Sequence, residues 1–300
     1  MDDPAPTHGL WADLAHPGIA PLEADFSIIG IPYDGAACAR KGAALGPERI
    51  RFWSHHTAPF SEDRTRLHAI RISDLGDISI RDPEHDFNAV RERVATLPNT
   101  PILLGGDHSV TIPIFQGQRE RFRGEKLGVL WLDAHPDLCD IYTGTKYSHA
   151  CVLRRGLEFG IEPEDVCLVG LRSWEEQEIE LIESGKLNVY TASQVAERGL
   201  KAVAAEVHGI LSKCDVVHIS LDIDCLDPAF APGTGIPDAG GLTSREVIML
   251  IQSLQGLPLV GLDVVEVAPP LDPSEVTVFA ALKVIMEFIA LRAREKRESE

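Results

Sequence analysis

The chain has 300 residues, 44% hydrophobic and 25% charged, a balance that fits a folded globular protein and excludes disordered, collagen-like and coiled-coil classes. Asp and Glu number 46 against 28 Lys and Arg, for a formal net charge of −18, so nucleic acid and anionic membrane surfaces are poor partners. No window approaches the roughly 18 apolar residues that a membrane-spanning helix needs.

The opening MDDPAPTHGL is acidic and lacks the basic-then-apolar order of an export leader. Six cysteines, Cys38, Cys139, Cys151, Cys167, Cys214 and Cys225, form no C-x-x-C pair. Both features lead us to expect a cytoplasmic protein with reduced thiols. Short β-branched, apolar runs then recur at 25–31, 69–73, 101–105, 127–132, 165–170, 187–190, 215–221 and 258–265 and read as strands, most of them buried on both faces. Helical spacing fills 84–96, 174–184, 192–210 and 243–254, the last opened by Thr243 with Glu246 three residues on, as in a capping box. A closing helix is expected over 275–297, and its end, RAREKRESE, reads as a solvated, fraying tail. Strands alternating with helices imply parallel strands joined by right-handed crossovers. Periodicity alone does not separate an open sheet from a closed (β/α)₈ barrel, but in either case function gathers at strand C-terminal ends. With no linker, repeat or low-complexity tract, residues 1–300 are expected to form a single domain.

Three clusters each follow an apolar run: GGDHS at 105–109, DAHPD at 133–137 and DIDCLDP at 222–228. Asp133, His135 and Asp137 are spaced by two, as are Asp222 and Asp224, so on extended backbone each set projects from one face. Carboxylates confined together repel and lose solvation, at several kcal/mol per uncompensated charge, unless cations neutralise them. Oxygen-rich ligation with a minority of imidazoles suits a hard or borderline divalent ion such as Mn²⁺, whereas closed zinc sites favour Cys and His. The candidate ligands are His108, Asp133, His135, Asp137, Asp222 and Asp224. Six side chains exceed what one open catalytic metal requires, so two ions about 3.5–4 Å apart are expected.

The segments GGDHS, DAHPD and DIDCLDPAFAPGTGIPDAGG resemble the signature segments of the ureohydrolase (arginase and agmatinase) family. The likeness extends from GIPYDGAACARKGAALGPERIR at 30–51 through GLDVVEVAPPLD at 261–272 to the final helix, and only the first 20 residues lack a counterpart, reading as an N-terminal extension. The resemblance implies a three-layer α/β/α fold around an eight-stranded parallel sheet, two Mn²⁺ per chain, and hydrolysis of a guanidino group to urea and an amine. Position by position, it makes His108, Asp137 and Asp224 terminal ligands completed by Asp133, His135 and Asp222. His149, in KYSHAC, becomes the candidate proton shuttle, and Glu266 the carboxylate that pairs with the guanidinium. A homo-oligomer, trimer or hexamer, is also implied.

Within that family an animal-type arginase reads the substrate's carboxylate with an Asn two residues past the last DAHxD carboxylate, where this chain has Cys139. The acidic chain and the lack of an identified carboxylate-binding cation favour agmatine, cleaved to putrescine and urea, over arginine or guanidinobutyrate. For guanidinobutyrate, Lys146 or Arg154 would have to supply the cation. Glu175 and Glu178 either face the cationic far end of a substrate or lie on a solvated helix start. Asp140 and the GTG turn at 233–235 are expected to shape loops near the site. A single-zinc deacetylase and a non-enzymatic metal-binding protein are the remote alternatives.

Overall fold

Each of the eight apolar runs becomes a strand in the computed structural model, which describes residues 3–299. They are β1 (Phe26–Ile31), β2 (Ile72–Asp77), β3 (Thr100–Gly105), β4 (Leu127–Leu132), β5 (Val166–Leu171), β6 (Asn188–Thr191), β7 (Val216–Asp222) and β8 (Leu259–Val265). All pair in parallel, in the order β2-β1-β3-β8-β7-β4-β5-β6. The edge strands β2 and β6 do not meet, so the sheet is open and the barrel is excluded.

Alternation along the strands explains the unbroken apolar runs. Ile102, Leu104, Leu130 and Leu132 pack into one core, while Leu103, Val129 and Trp131 pack into another on the opposite face. Helices α1 (Gly46–Ser54), α7 (Leu200–Leu211), α8 (Ser244–Gln252) and α9 (Val276–Ser299) cover the first face. The second is covered by α2 (Pro83–Thr96), α3 (Thr111–Arg121) and α4 (Val152–Glu158), with α5 (Ile179–Glu183) packed against them. Each fully buried Leu, Ile or Phe adds about 1.5–3 kcal/mol, so a sheet covered on both faces is strongly specified.

Several boundaries differ from the sequence expectation. The second strand starts three residues late, because Leu67 and Ile70 are buried in the incoming loop rather than in the ladder. The run at 192–210 divides into α6 (Ala192–Arg198) and α7 at Gly199, which adopts φ +78. The run at 174–184 forms only a 3₁₀ turn and the short α5. Helix α8 starts at the expected capping box, with Glu246 N–H donating to Thr243 Oγ1 at 3.1 Å and Thr243 N–H to Glu246 Oε2 at 2.8 Å. The charged end of α9 is not a fraying tail through Lys296: Arg294 meets Asp63 at 3.1 Å and Lys296 meets Asp25 at 2.6 Å. Of the first 20 residues, Met1 and Asp2 lie outside the described residues. Within the rest, the stretch from Trp11 to Ala15 packs on the sheet edge: Trp11 is fully buried, its Nε1 donates to Asp74 Oδ2 at 2.8 Å, and Ala15 bridges to Ile72. Among the described residues, no helix is long and apolar enough to cross a membrane.

Candidate active site

The neighbouring central strands β3, β8, β7 and β4 open at their C-terminal ends onto one cleft, the usual place for a site in an open α/β sheet. A single local device ends three of them. Asp107 Oδ1 accepts from Ser109 N–H at 3.0 Å, Asp133 Oδ1 from His135 N–H at 2.7 Å, and Asp222 Oδ1 from Asp224 N–H at 2.8 Å. In each, an aspartate side chain bonds the backbone two residues on and turns the chain. The spacing of two therefore acts through turns and not, as the sequence suggested, through extended backbone. Indeed β4 stops at Leu132, Asp137 adopts φ +50, and Ile223–Cys225 is a 3₁₀ turn.

The second oxygens of Asp133 and Asp222 face the cleft. They lie 3.1 and 3.2 Å from His108 Nδ1, with Asp137 Oδ2 at 3.3 Å. His135 Nδ1 lies 3.4 Å from Asp133 Oδ1 and 3.2 Å from Asp224 Oδ2. Ligand-type atoms of His108, Asp133 and Asp137 fall within 4.8 Å of one another, as do those of Asp133, His135 and Asp224. All six expected residues thus converge, and Asp133 belongs to both groups.

A buried chain of hydrogen bonds sets the His108 ring. Ser220 Oγ donates to Asp263 Oδ1 at 2.8 Å, so its oxygen accepts from His108 Nε2–H at 3.0 Å. Asp263 also accepts from Thr111 Oγ1 at 2.9 Å and from His218 Nε2 at 2.7 Å. With Nε2–H tied to Ser220, Nδ1 is aimed at three carboxylates, an arrangement that demands a positive charge between them, whether a proton on Nδ1 or a metal ion. Trp131 adds a flat support: its ring stacks on His108 with centroids 4.3 Å apart and 5° from parallel, and its Nε1 donates to His135 O at 3.0 Å.

The electrostatics make the same demand. Burial and then Asp133 push the Asp137 carboxyl well above its ordinary pKa, and burial and then Asp224 do the same to Asp222. Burial opposes protonation of His108, yet Asp133 and Asp222 outweigh it and raise the imidazole well above its ordinary value. His108 Nδ1 and Asp133 Oδ2 are sealed from solvent without an aligned hydrogen bond. Two orphaned ligand atoms in a carboxylate-and-imidazole donor set fit a divalent cation of the Mn²⁺ type.

Around the cluster, Glu266 adopts φ +60, a left-handed conformation costing about 1–2 kcal/mol for a non-glycine residue. Glu266 N–H donates to Gly106 O at 2.8 Å, and its Oε1 accepts from His108 N–H at 2.9 Å. Burial and then Asp107 raise this carboxyl to about 8. Gly235 faces the other oxygen, where a Cβ would stand 3.6 Å from Oε2. His149 lines the same cleft on a 3₁₀ turn; its Nδ1–H donates to Ala36 O at 2.8 Å, leaving Nε2 3.4 Å from Cys38 Sγ. Burial lowers the pKa of His149.

Of the remaining candidates, Glu175, Glu178, Asp140, Lys146 and Arg154 stand outside the cleft lining. Glu175 is exposed at the start of the 3₁₀ turn Glu176–Glu178, while Glu178 is buried and accepts from Leu138 N–H at 2.8 Å, bracing the Asp137 turn. Asp140 pairs with Arg155 at 2.7 Å. Lys146 lies over the Tyr147 ring and Arg154 lies 3.6 Å from Glu158. Thr234 and Gly235 do line the cleft, their carbonyls accepting from Arg40 at 2.7 and 3.1 Å. Sequence reasoning missed Ser220, Asp263 and His218, although each is a polar residue inside a strand read as buried, where an unpaired group is costly. That signal was sufficient to mark them.

Open sheet and strand-end cluster together define a class: α/β/α enzymes with an acidic–imidazole centre at the C-terminal ends of the strands. The family model described as the Arginase family matches residues 24–290. An agmatinase of Salmonella dublin is 36% identical over 288 residues, spanning 92% of this chain and 90% of that protein. Among solved structures, the agmatine ureohydrolase of Thermoplasma volcanium superposes with a TM-score of 0.86 at 31% identity, covering 96% of each chain. Proclavaminate amidino hydrolase from Streptomyces clavuligerus gives 0.88 at 32% identity, covering 97% of this chain and 98% of the other. The chain belongs to the arginase family and is a ureohydrolase, a member of a metal-dependent class of enzymes. With that, the single-zinc deacetylase and non-enzymatic readings fall.

Proposed function

We propose that this chain is an agmatinase, hydrolysing agmatine to putrescine and urea with two Mn²⁺ held in the cleft. The observation that carries the two-ion reading is Asp133, shared by two ligand groups. His108, Asp133, Asp137 and Asp222 would hold one ion, and Asp133, His135, Asp222 and Asp224 the other. When bound, such a pair activates water and offsets the negative charge that develops as water attacks the guanidinium carbon.

The chain's own residues bind, orient and transfer protons. Glu266 is the acceptor for the planar guanidinium, and a cation placed beside it keeps its carboxyl ionised despite burial. His149 takes up a proton at Nε2 and delivers it to the departing amine, since Nδ1 is tied to Ala36 O. Its lowered pKa makes the imidazolium a ready acid. Glu175, exposed at the start of the turn Glu176–Glu178, is the carboxylate that would receive the distal ammonium.

Agmatine is favoured over a guanidino acid because Arg40, the cation that lines the cleft among the described residues, is committed to two backbone carbonyls. Lys146 and Arg154 lie elsewhere. A cytoplasmic homo-oligomer, trimer or hexamer, made of a single catalytic domain completes the reading. Urea release from agmatine, arginine, guanidinobutyrate and other guanidino acids, measured in parallel on Mn²⁺-loaded protein, tests the substrate: preference for agmatine supports it, and preference for an acid overturns it.

A further inference from the structure

Two loops meet at the His149 imidazole. The first, at Ala36–Cys38, takes both ring nitrogens: Ala36 O accepts from Nδ1–H at 2.8 Å, and Cys38 Sγ lies 3.4 Å from Nε2. That loop is itself anchored, since Ala36 N–H donates to Oδ2 of the buried Asp107 at 2.8 Å. The second loop supplies Tyr142, whose ring stands edge-on to the imidazole, with centroids 5.6 Å apart and planes at 81°. Tyr142 is fixed in turn by a two-residue hairpin. It exchanges backbone hydrogen bonds with Thr145 at 3.0 and 3.1 Å, and Thr143 and Gly144 both adopt positive φ, +48 and +83. Left-handed backbone is unfavourable for a β-branched residue, so the surrounding structure over-determines this turn.

Proton bookkeeping decides what the thiol does. With Nδ1–H committed to Ala36 O, Nε2 of the neutral ring carries the lone pair, so the contact is an S–H donated to Nε2. Burial raises the Cys38 thiol above its ordinary pKa and keeps that proton on sulfur. Sulfur is a weak donor and a weak acceptor, so the bond orients the ring at little cost and yields to a stronger partner. Cys38 and His149 line the same cleft as Glu266 and the ligand-type residues. A departing amine that takes a proton from Nε2 must therefore come to the place Sγ holds beside that nitrogen.

We propose that Cys38 is a positioning residue for proton transfer: its thiol holds His149 Nε2 toward the cleft and gives way to the departing amine. The inference rests on the assignment of His149 as the proton donor. No bond to sulfur forms or breaks. When the imidazole is protonated the thiol turns to accept from Nε2–H, and the transferred proton then leaves Nε2 for the amine nitrogen.

The test compares Cys38→Ala, Cys38→Ser and His149→Asn in Mn²⁺-loaded, full-length protein, with kcat and KM for the preferred guanidino substrate read separately. Cys38→Ala should lower kcat about tenfold, a part of the roughly 10²–10⁴ that a positioned proton donor supplies, and leave KM and metal content unchanged. Cys38→Ser restores a donor beside Nε2 and should recover most of the loss. In the His149→Asn background, Cys38→Ala should change kcat by less than about twofold, because no imidazole is left to position. Nitrogen NMR of the metal-free protein should show His149 as the Nδ1–H tautomer, with its Nε2 resonance moving in Cys38→Ala. Wild-type kcat in Cys38→Ala, equal losses in Cys38→Ala and Cys38→Ser, an additive loss in the double variant, a rise in KM alone or an unmoved Nε2 resonance would each overturn the proposal while leaving His149 as the donor. Full activity in His149→Asn would instead remove the proton-transfer assignment itself, and this inference with it.

Discussion

His108 Nε2 stands 3.0 Å from Ser220 Oγ, and that hydroxyl donates its own hydrogen bond to Asp263 Oδ1 at 2.8 Å. One buried hydroxyl thus decides which nitrogen of the imidazole is offered to the carboxylate cluster. Ser220→Ala removes the acceptor that fixes the ring, and Asp263→Asn weakens the acceptor of that chain. Both should lower metal affinity about 10–100-fold. Competition against a chelator reads this directly, and unchanged affinity would mean that Ser220 and Asp263 only fill space.

Trp131 separates packing from hydrogen bonding. Trp131→Phe keeps a ring over His108 but leaves His135 O without its donor, costing about 1 kcal/mol. Trp131→Ala also opens a cavity in the core and should cost about 3–5 kcal/mol. Urea unfolding of the metal-free proteins measures both, and equal losses would contradict the division.

Glu266 governs how stability changes with pH in the metal-free protein. Its folded carboxyl titrates at about 8, above its ordinary value, because burial and Asp107 disfavour the anion. Between the two values the folded state holds a proton that the unfolded state has lost, so this residue's contribution falls as pH rises. Its slope approaches about 1.4 kcal/mol per pH unit inside that window. Unfolding from pH 5 to 8 should therefore show a flatter profile for Glu266→Gln than for wild type, and superimposable profiles would contradict the assignment.

His149 is assigned proton transfer without a part in metal binding. His149→Asn should lower kcat about 10²–10⁴-fold and leave the metal content unchanged. Loss of metal together with activity would place the residue in the metal site instead.

Much of this was legible in the sequence, for identifiable physical reasons. Strands buried on both faces leave continuous apolar runs, so β4 and β7 were read nearly residue by residue. The six cluster residues were legible because charged side chains at strand ends have few bland explanations. What stayed hidden lacked a periodic signature. Helix α3 buries residues all round its first two turns and so shows no apolar stripe. Cys38 and Arg40 reach the cleft through a loop whose path is set by Asp107, whose Oδ2 accepts from Ala36 N–H at 2.8 Å, a contact 71 residues apart in sequence. The turns at Asp133 and Asp222 preserved the predicted convergence while replacing its mechanism.

The central claim is a two-ion site hinged on Asp133, and metal stoichiometry tests it most directly. Protein stripped with chelator, reloaded with Mn²⁺ and desalted should retain about two equivalents per chain, with Asp133→Asn losing both together with urea release. One equivalent in the wild type, or an Asp133→Asn variant that keeps a full complement, would contradict the account.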